Sequence, residues 1–483
     1  MNLSFVSTVL LFMSINIFSY FIDNSDQMLI IATSIGIVQT ISILIATKKN
    51  NPLELFTMVM LLWMVQYSVT GLLIKGFEIP LQFGVTYAYL GLAAVLANIC
   101  QLIIAFVWQL PLWSKTADLI PRPSFPSAKE SINVIATLWA LSLLFRIILI
   151  FSGYQSGFEV EAGTLGILTN IMMVAVGFLG IFPIIYFCAL LKQNSSTATR
   201  MAKIVLAIEV IIMTFFAGTK AGPVILIINF AVAYHYMVAQ IKARKTWALL
   251  LIAVIFVIPF YAFKLNMRVA LLTTYSVTDE RPKLSLNDYI YLYSKSMDVI
   301  NAIGPAKMVE QTSIGLVNRF DVLTTLAGTI AYYDKRARYD LDMYLPLWIM
   351  PYVPRFIWKD KGWVGLGLFV SNEILGIPSF TQAAVTSPIE GYIACGKVGS
   401  FIISIINGVF VSVAFFYFNN TRSNDDNFIL RAYFVSMFLV MLYFNGAFVF
   451  IRAISTNLVI LWVLFKLFYR SKPLLNTARQ SAL

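Results

Sequence analysis

The chain has 483 residues, 59% of them hydrophobic and only 12% charged, with a mean hydropathy of +0.81 and a formal net charge of +12. A soluble globule is apolar to about 45–50%, so a water-soluble enzyme is excluded and an integral membrane protein is left. The basic surplus does not indicate nucleic acid, because Lys and Arg are divided among short loops with no basic stripe or stacking motif.

A span needs roughly 20 apolar residues, and apolar runs of about that length with few or no charges number about twelve. In chain order they lie near 3–22, 27–47, 53–74, 82–110, 131–152, 164–191, 201–217, 221–240, 246–264, 396–418, 428–447 and 451–469. Barrel strands would alternate polar and apolar over about 10 residues, so the predicted fold is all-α and polytopic. The first run has no basic leader and no small-x-small cleavage site before Asp23, which reads as a retained helix. Two charges fall inside spans, Arg146 in LSLLFRIILI and Glu209 in LAIEVIIM. An intramembrane charge costs about 2.5–3.5 kcal/mol on insertion scales, so a structural ion pair between them is favoured over a proton relay. Cys100, Cys188 and Cys395 show no metal-type spacing and suggest no disulfide framework.

Short loops rich in Lys and Arg mark the cytoplasmic side. One alternating set holds Lys48 and Lys49, then Lys115, Arg122 and Lys129, then Lys192, Arg200 and Lys203, then Lys242, Arg244 and Lys245. The other set is nearly bare: FIDNSD has no base, and Lys75 sits with Glu78. Both termini are therefore expected in the cytoplasm. The chain divides into a bundle of about nine helices over 1–264, a large extracytoplasmic, membrane-associated loop of short helices over 265–395, and about three helices with a cytoplasmic tail over 396–483. His235, the single histidine, falls near the cytoplasmic end of its span.

The outer face collects cations: Lys220 in AGTKAGP, Arg319 beside Asp321 in NRFD, Arg355 in YVPRFIWKDKGW, and Arg452 in FVFIRAIS. Arg offers a planar fork of donors that suits phosphate oxygens and stays charged near lipid. An anion site follows for Arg319 and Arg355, whereas Lys220 and Arg452 taken alone fit snorkelling to the headgroups. Transfer to a hydroxyl needs a proton acceptor, and Asp321, Asp360, Glu373 and Glu390 lie on that side. Glu390 in SPIEGYIACGKVG follows a helix-starting proline just before a span that begins near 396, at membrane depth. A carboxylate favoured by a helix N-terminus would account for Glu390 equally, and an ion pair with Arg319 for Asp321. LSLNDYIYLYSKSMDVINAIG (284–304) has helical spacing suited to the membrane surface or to dipping back into the bundle. DKRARYDLD (334–342) reads as a solvated face.

The number and sides of the spans, GTKAG in a tight outer turn, a large late outer loop, and VPRFIWKDK followed by SPIEGYIACGKVG together resemble the O-antigen repeat-unit polymerase family, called Wzy. The resemblance implies a GT-C-like glycosyltransferase of the bacterial inner membrane with its site facing the periplasm or outside. It would pass a glycan from undecaprenyl pyrophosphate to a sugar hydroxyl of the next lipid-linked unit, without nucleotide donor, metal or cofactor, and with a chain-length regulator as a further partner. On this basis Glu390 or Asp321 would serve as base. Arg319, Arg355, Lys220 and Arg452 would hold pyrophosphate, and Trp358 and Trp363 would offer faces to sugar, although interfacial Trp also anchors. An O-antigen ligase is the alternative, but its resemblance implies an outer-face histidine. A flippase or exporter would show repeats and a charged path, and neither is seen.

Overall fold

The structure, a computed structural model, describes residues 3–49, 51–79, 85–120, 128–151, 179–216, 222–249, 286–304, 322–336, 338–342, 366–376 and 385–419, with a few single positions between and beyond them. Among these residues every regular element is a helix. In chain order they are α1 (Leu3–Ser19), α2 (Ser25–Ala46), α3 (Leu55–Gly76, with a π-turn at Met64–Val69), α4 (Tyr87–Trp108), α5 (Leu112–Leu119) and α6 (Ala128–Phe151). There follow α7 (Phe182–Lys192), α8 (Ser196–Ile211, passing into a π-turn at Ile212–Phe216), α9 (Gly222–Met237), α10 (Leu286–Ile303), α11 (Val322–Asp334), α12 (Leu366–Phe369, passing into a π-turn at Val370–Ile374) and α13 (Ser387–Asn419). Five described helical segments are long and apolar enough to cross a membrane: Ser25–Ala46, Leu55–Gly76, Tyr87–Trp108, Lys129–Ile150 and Ser387–Tyr417, the last of which is broken at Cys395 and Gly396. The runs near 246–264, 428–447 and 451–469 lie mostly or wholly outside the described residues.

Helix α2 shows why this sequence folds in lipid. Asn24 caps it by accepting from the Asp26 and Gln27 amides, satisfying donors that a helix start leaves orphaned. Thr33, Gln39 and Thr40 are then buried, while Ile30, Ile31, Val38, Ile41 and Ile45 are exposed. Polar side chains inward and apolar ones outward invert the water-soluble pattern and match a hydrocarbon solvent, in which only internal partners can satisfy polar groups. Those partners are present. Asn16 donates to Gln39 at 2.8 Å, Asn98 to Asn16 at 3.0 Å, Gln39 to Gln101 at 2.8 Å, and Gln101 to Thr40 at 2.9 Å. This ladder ties α1, α2 and α4 together; nothing in the local sequence pattern predicts it.

The two intramembrane charges meet. Arg146 on α6 donates to both carboxylate oxygens of Glu209 on α8, at 2.5 and 2.8 Å, and Trp139 Nε1 adds a third bond at 3.1 Å. Both side chains are nearly inaccessible, at 10% and 1%. Arg146→Ala is expected to cost about 3–5 kcal/mol, because it strands a buried charge, whereas the double variant Arg146→Met/Glu209→Leu should recover most of that loss. Thermal unfolding in detergent checks this, and a double variant no better than Arg146→Ala would refute the pairing argument.

The helix ends sort into two groups. Lys75 Nζ bonds Asp26 at 2.7 Å and lies over the Tyr87 ring, Tyr89 donates to Asp334 at 3.0 Å, and Lys397 donates to Tyr20 at 2.9 Å. At the opposite end of α3, Lys49 pairs with Glu54 at 3.0 Å, and Tyr236 accepts from the Leu55 amide. His235 accepts there from the Ile241 amide at 3.0 Å, so the single histidine caps a turn. The segment 20–26 and those around Lys75, Asp334 and Lys397 thus lie toward one end of α3, and the segments 49–54 and 235–241 toward the other.

Candidate functional site: a re-entrant helical hairpin

Helix α13 is two arms. Cys395 (φ −152°, ψ 30°) and Gly396 (φ 63°, ψ −146°) leave helical geometry, and the arms 387–394 and 397–419 fold back on each other. Residues eight apart in a straight helix are about 12 Å apart, yet here a Cβ on Gly391 would overlap the Gly399 carbonyl. Ser400 Oγ donates to the Pro388 carbonyl at 2.7 Å and Asn407 to Ser387 Oγ at 2.6 Å, locking the arms antiparallel. Three glycines make this possible: Gly391 and Gly399 let the backbones touch, and Gly396 takes a positive φ that a side chain rarely tolerates. The predicted span start near 396 coincides with this turn.

The short arm is buried from Val385 to Ala394, with only its tip emerging at Cys395, Lys397 and Val398. It begins deep: Thr386 bonds the Tyr67 hydroxyl, which belongs to the π-turn in the middle of α3. Beneath its first turn lies a cavity of about 30 Å³, lined by Gln66, Thr386, Ser387 and Asn407 together with Trp63 and Trp108. That is room for about two waters and supplies the polar partners they require. Its other end reaches the surface carrying Tyr20, Tyr89 and Asp334. Glu390 sits on this arm, 0% exposed, four residues after Thr386 on the same helical face and about one turn below the tip. Its amide donates to the Thr386 carbonyl at 2.9 Å.

Over the tip stands an aromatic cover. Tyr339 packs on Gly396, where a Cβ would meet its ring at 2.5 Å. Tyr333 lies 5.4 Å from Tyr339 and 6.4 Å from Tyr392, centroid to centroid. Tyr333 comes from α11, which at 13 residues is too short to span a membrane but packs within the bundle, with Leu323, Leu326 and Ala327 fully buried. Its hydroxyl donates to Asp340 at 2.6 Å, and the Asp340 amide donates to the Ile393 carbonyl at 3.0 Å. Burial, then the bond to Asp340, pushes the Tyr333 phenol well above its usual range, so it stays a protonated donor.

Of the outer-face cations, carboxylates and tryptophans singled out by sequence as candidates, the structure describes Glu390 and Glu373. Glu390 is deep in the hairpin, and Glu373 lies exposed on the π-turn after α12. Lys220, Arg319, Asp321, Arg355, Trp358, Asp360, Trp363 and Arg452 lie outside the described residues. The segment 334–342 is exposed at every described position except the half-buried Asp340, as a solvated face should be. Arg338 and Asp342 form an exposed pair at 2.6 Å, and Asp334, Tyr339 and Asp340 in addition touch α4, the hairpin turn and Tyr333. Sequence reading also missed Tyr67, Thr386, Ser387 and Asn407; the available signal was Gly391, Gly396 and Gly399 crowded into one apolar run. Among the described residues no three His, Cys, Asp or Glu side chains converge as a metal site would need.

No family model, curated protein or solved structure matches this chain.

Proposed function

We propose that the chain is a membrane glycan polymerase of the Wzy type, passing a glycan from a lipid pyrophosphate to a hydroxyl of the next lipid-linked unit on the extracytoplasmic side of a bacterial inner membrane. The observation that supports this reading is Glu390: a fully buried carboxylate in an apolar helical hairpin, on a short arm whose tip lies toward the end carrying Tyr20, Tyr89 and Lys397. A carboxylate is costly to keep in a bilayer and marks function by default. A helix-starting carboxylate on a surface would need no such housing.

On this reading Glu390 accepts the proton of the acceptor hydroxyl as the new glycosidic bond forms and the bond to pyrophosphate breaks. General-base assistance of this kind contributes about 10²–10⁴-fold. Arg319 and Arg355 hold the departing pyrophosphate, where fixed cations act most strongly with water excluded. Asp321, Lys220 and Arg452 are the reserve candidates for base and cation, and Trp358 and Trp363 for sugar contact. About twelve spans, a GT-C-like architecture and a chain-length regulator belong to the same proposal. The ligase alternative is disfavoured by His235, which caps a turn at the end of α9 remote from the hairpin tip.

Deletion of the gene tests the reading. The expected surface glycan is a single repeat unit, because assembly and ligation proceed without polymerisation. Loss of every repeat unit would point to a ligase or flippase, and an unchanged length ladder would remove the polymerase reading altogether.

A further inference from the structure

At the end of α3 opposite the hairpin tip, two loops far apart in sequence are fastened together. Asn51 donates to the Ile241 carbonyl at 2.7 Å across 190 residues of chain. Asn51 is itself buried, and its side-chain oxygen accepts from the Leu53 amide at 3.1 Å. The Leu55 amide donates to the Tyr236 hydroxyl at 2.9 Å, and the Ile241 amide to His235 Nδ1 at 3.0 Å. The junction carries Lys48 and Lys49 on one loop and Lys242, Arg244 and Lys245 on the other; Lys49 is half-buried and the rest are exposed. Among the described residues, the one carboxylate paired with any of these cations is Glu54, 3.0 Å from Lys49. Exposed apolar side chains continue from both loops: Ile41 and Ile45 on α2, and Trp247, Leu249 and Leu251 beyond Lys245.

We propose that this junction is a docking site for an anionic phospholipid, with the headgroup phosphate at the paired loops and the acyl chains along the apolar side chains that follow them. The inference is independent of the glycan-polymerase reading. Cations that only mark one side of a membrane serve in any short loop and need no bonded junction. Helix energetics do not account for them either. Lys242, Arg244 and Lys245 fall at the start of the helical stretch 243–249, the end at which the helix dipole disfavours positive charge. Lys48 takes a positive φ of 55°, where α2 is closed by the Lys49 amide donating to the Leu44 carbonyl at 3.0 Å, a position that glycine usually fills. Phosphate oxygens suit both the planar fork of Arg244 and the lysine ammonium groups. Trp247, Leu249 and Leu251 select a lipid over a soluble acidic partner: cations, then an exposed Trp, then exposed aliphatic residues is the order in which a bilayer presents headgroup, interface and hydrocarbon.

The test uses the full chain, stripped of copurified lipid in a neutral maltoside detergent. The probes are phosphatidylglycerol and phosphatidylcholine with the same acyl chains, and native mass spectrometry follows bound lipid through a titration. The parent should bind phosphatidylglycerol about ten-fold more tightly than phosphatidylcholine. Lys242→Gln/Arg244→Gln should weaken phosphatidylglycerol binding about twenty-fold, each cation supplying about five-fold. Lys48→Gln, on the other loop, should weaken it about five-fold, an effect that a local disturbance of 242–245 could not imitate. Lys115→Gln/Lys203→Gln, which removes two exposed cations from other segments, should change nothing. All three variants should melt with the parent in the absence of added lipid. Equal affinity of the parent for the two lipids overturns the proposal, as does unchanged affinity in Lys48→Gln. Equal losses in the two double variants overturn it in favour of diffuse surface charge, and displacement of the lipid by an equal concentration of inorganic phosphate overturns it in favour of a soluble-oxyanion site.

Discussion

Glu390→Gln is expected to leave protein level and thermal stability near those of the unmodified chain while cutting glycan extension by about 10²–10⁴-fold, the contribution of a positioned proton acceptor. The amide keeps the shape and most hydrogen-bonding capacity of the carboxylate, so the closed packing from Val385 to Ala394 is undisturbed. What disappears is a group able to take a proton. A carboxylate kept only for its place near a helix start is worth about 0.3–1 kcal/mol, and its loss would not abolish transfer. Glu390→Asp should fall between the two, since it retains the charge but withdraws it by one methylene. Gel profiles of surface glycan from a deletion strain carrying each variant, with immunoblots for protein amount, decide the matter. Wild-type chain lengths from Glu390→Gln would end the general-base assignment.

The second large effect is expected at Gly391 and Gly399. A methyl group on either would collide with the opposite arm's backbone, which cannot swing aside as a side chain would. Overpacking of a tight core costs about 1–3 kcal/mol, occasionally more, and this contact belongs at the upper end because the obstructing atoms are backbone. Gly391→Ala and Gly399→Ala should each lower the unfolding midpoint in detergent and shorten or abolish polymer, because separating the arms displaces Glu390. Gly408→Ala should be milder: its Cβ would meet the Val107 side chain at 3.0 Å. Gly76→Ala, with nothing within 4 Å, serves as the control. A Gly391→Ala protein that melts and polymerises like the control would show that the arms do not cross at this contact.

These two variants also separate what was legible in the sequence from what was not. Glu390 was legible as a carboxylate at the start of an apolar run, since SPIEGYIACGKVG places a proline before it and apolar residues after it, and its burial agrees with that. The hairpin was not: the sequence marks a span start near 396, but only the glycine crowding hinted that two backbones meet there. The oily late loop reads as helical in the sequence, yet nothing local says which elements α11 and the short arm pack against.

By itself the sequence determined the solvent and the class of fold: long uncharged runs can satisfy their backbone groups in lipid only as helices. It also determined that Arg146 and Glu209 need each other, because an isolated charge in hydrocarbon is prohibitively costly. Only the tertiary structure decided the partners of single polar residues. Asn16, Gln39, Asn98 and Gln101 have no periodic signature, and Tyr67 meets Thr386 across 319 residues of chain. The tertiary structure likewise gave two residues of the solvated DKRARYDLD stretch a second role at the hairpin tip, since Tyr339 packs on Gly396 and Asp340 bonds Tyr333 and Ile393. The physical reason is common to all of these. Solvent preference is a sum over neighbouring residues and is written locally, whereas a hydrogen bond or a backbone crossing depends on two distant segments arriving at the same place.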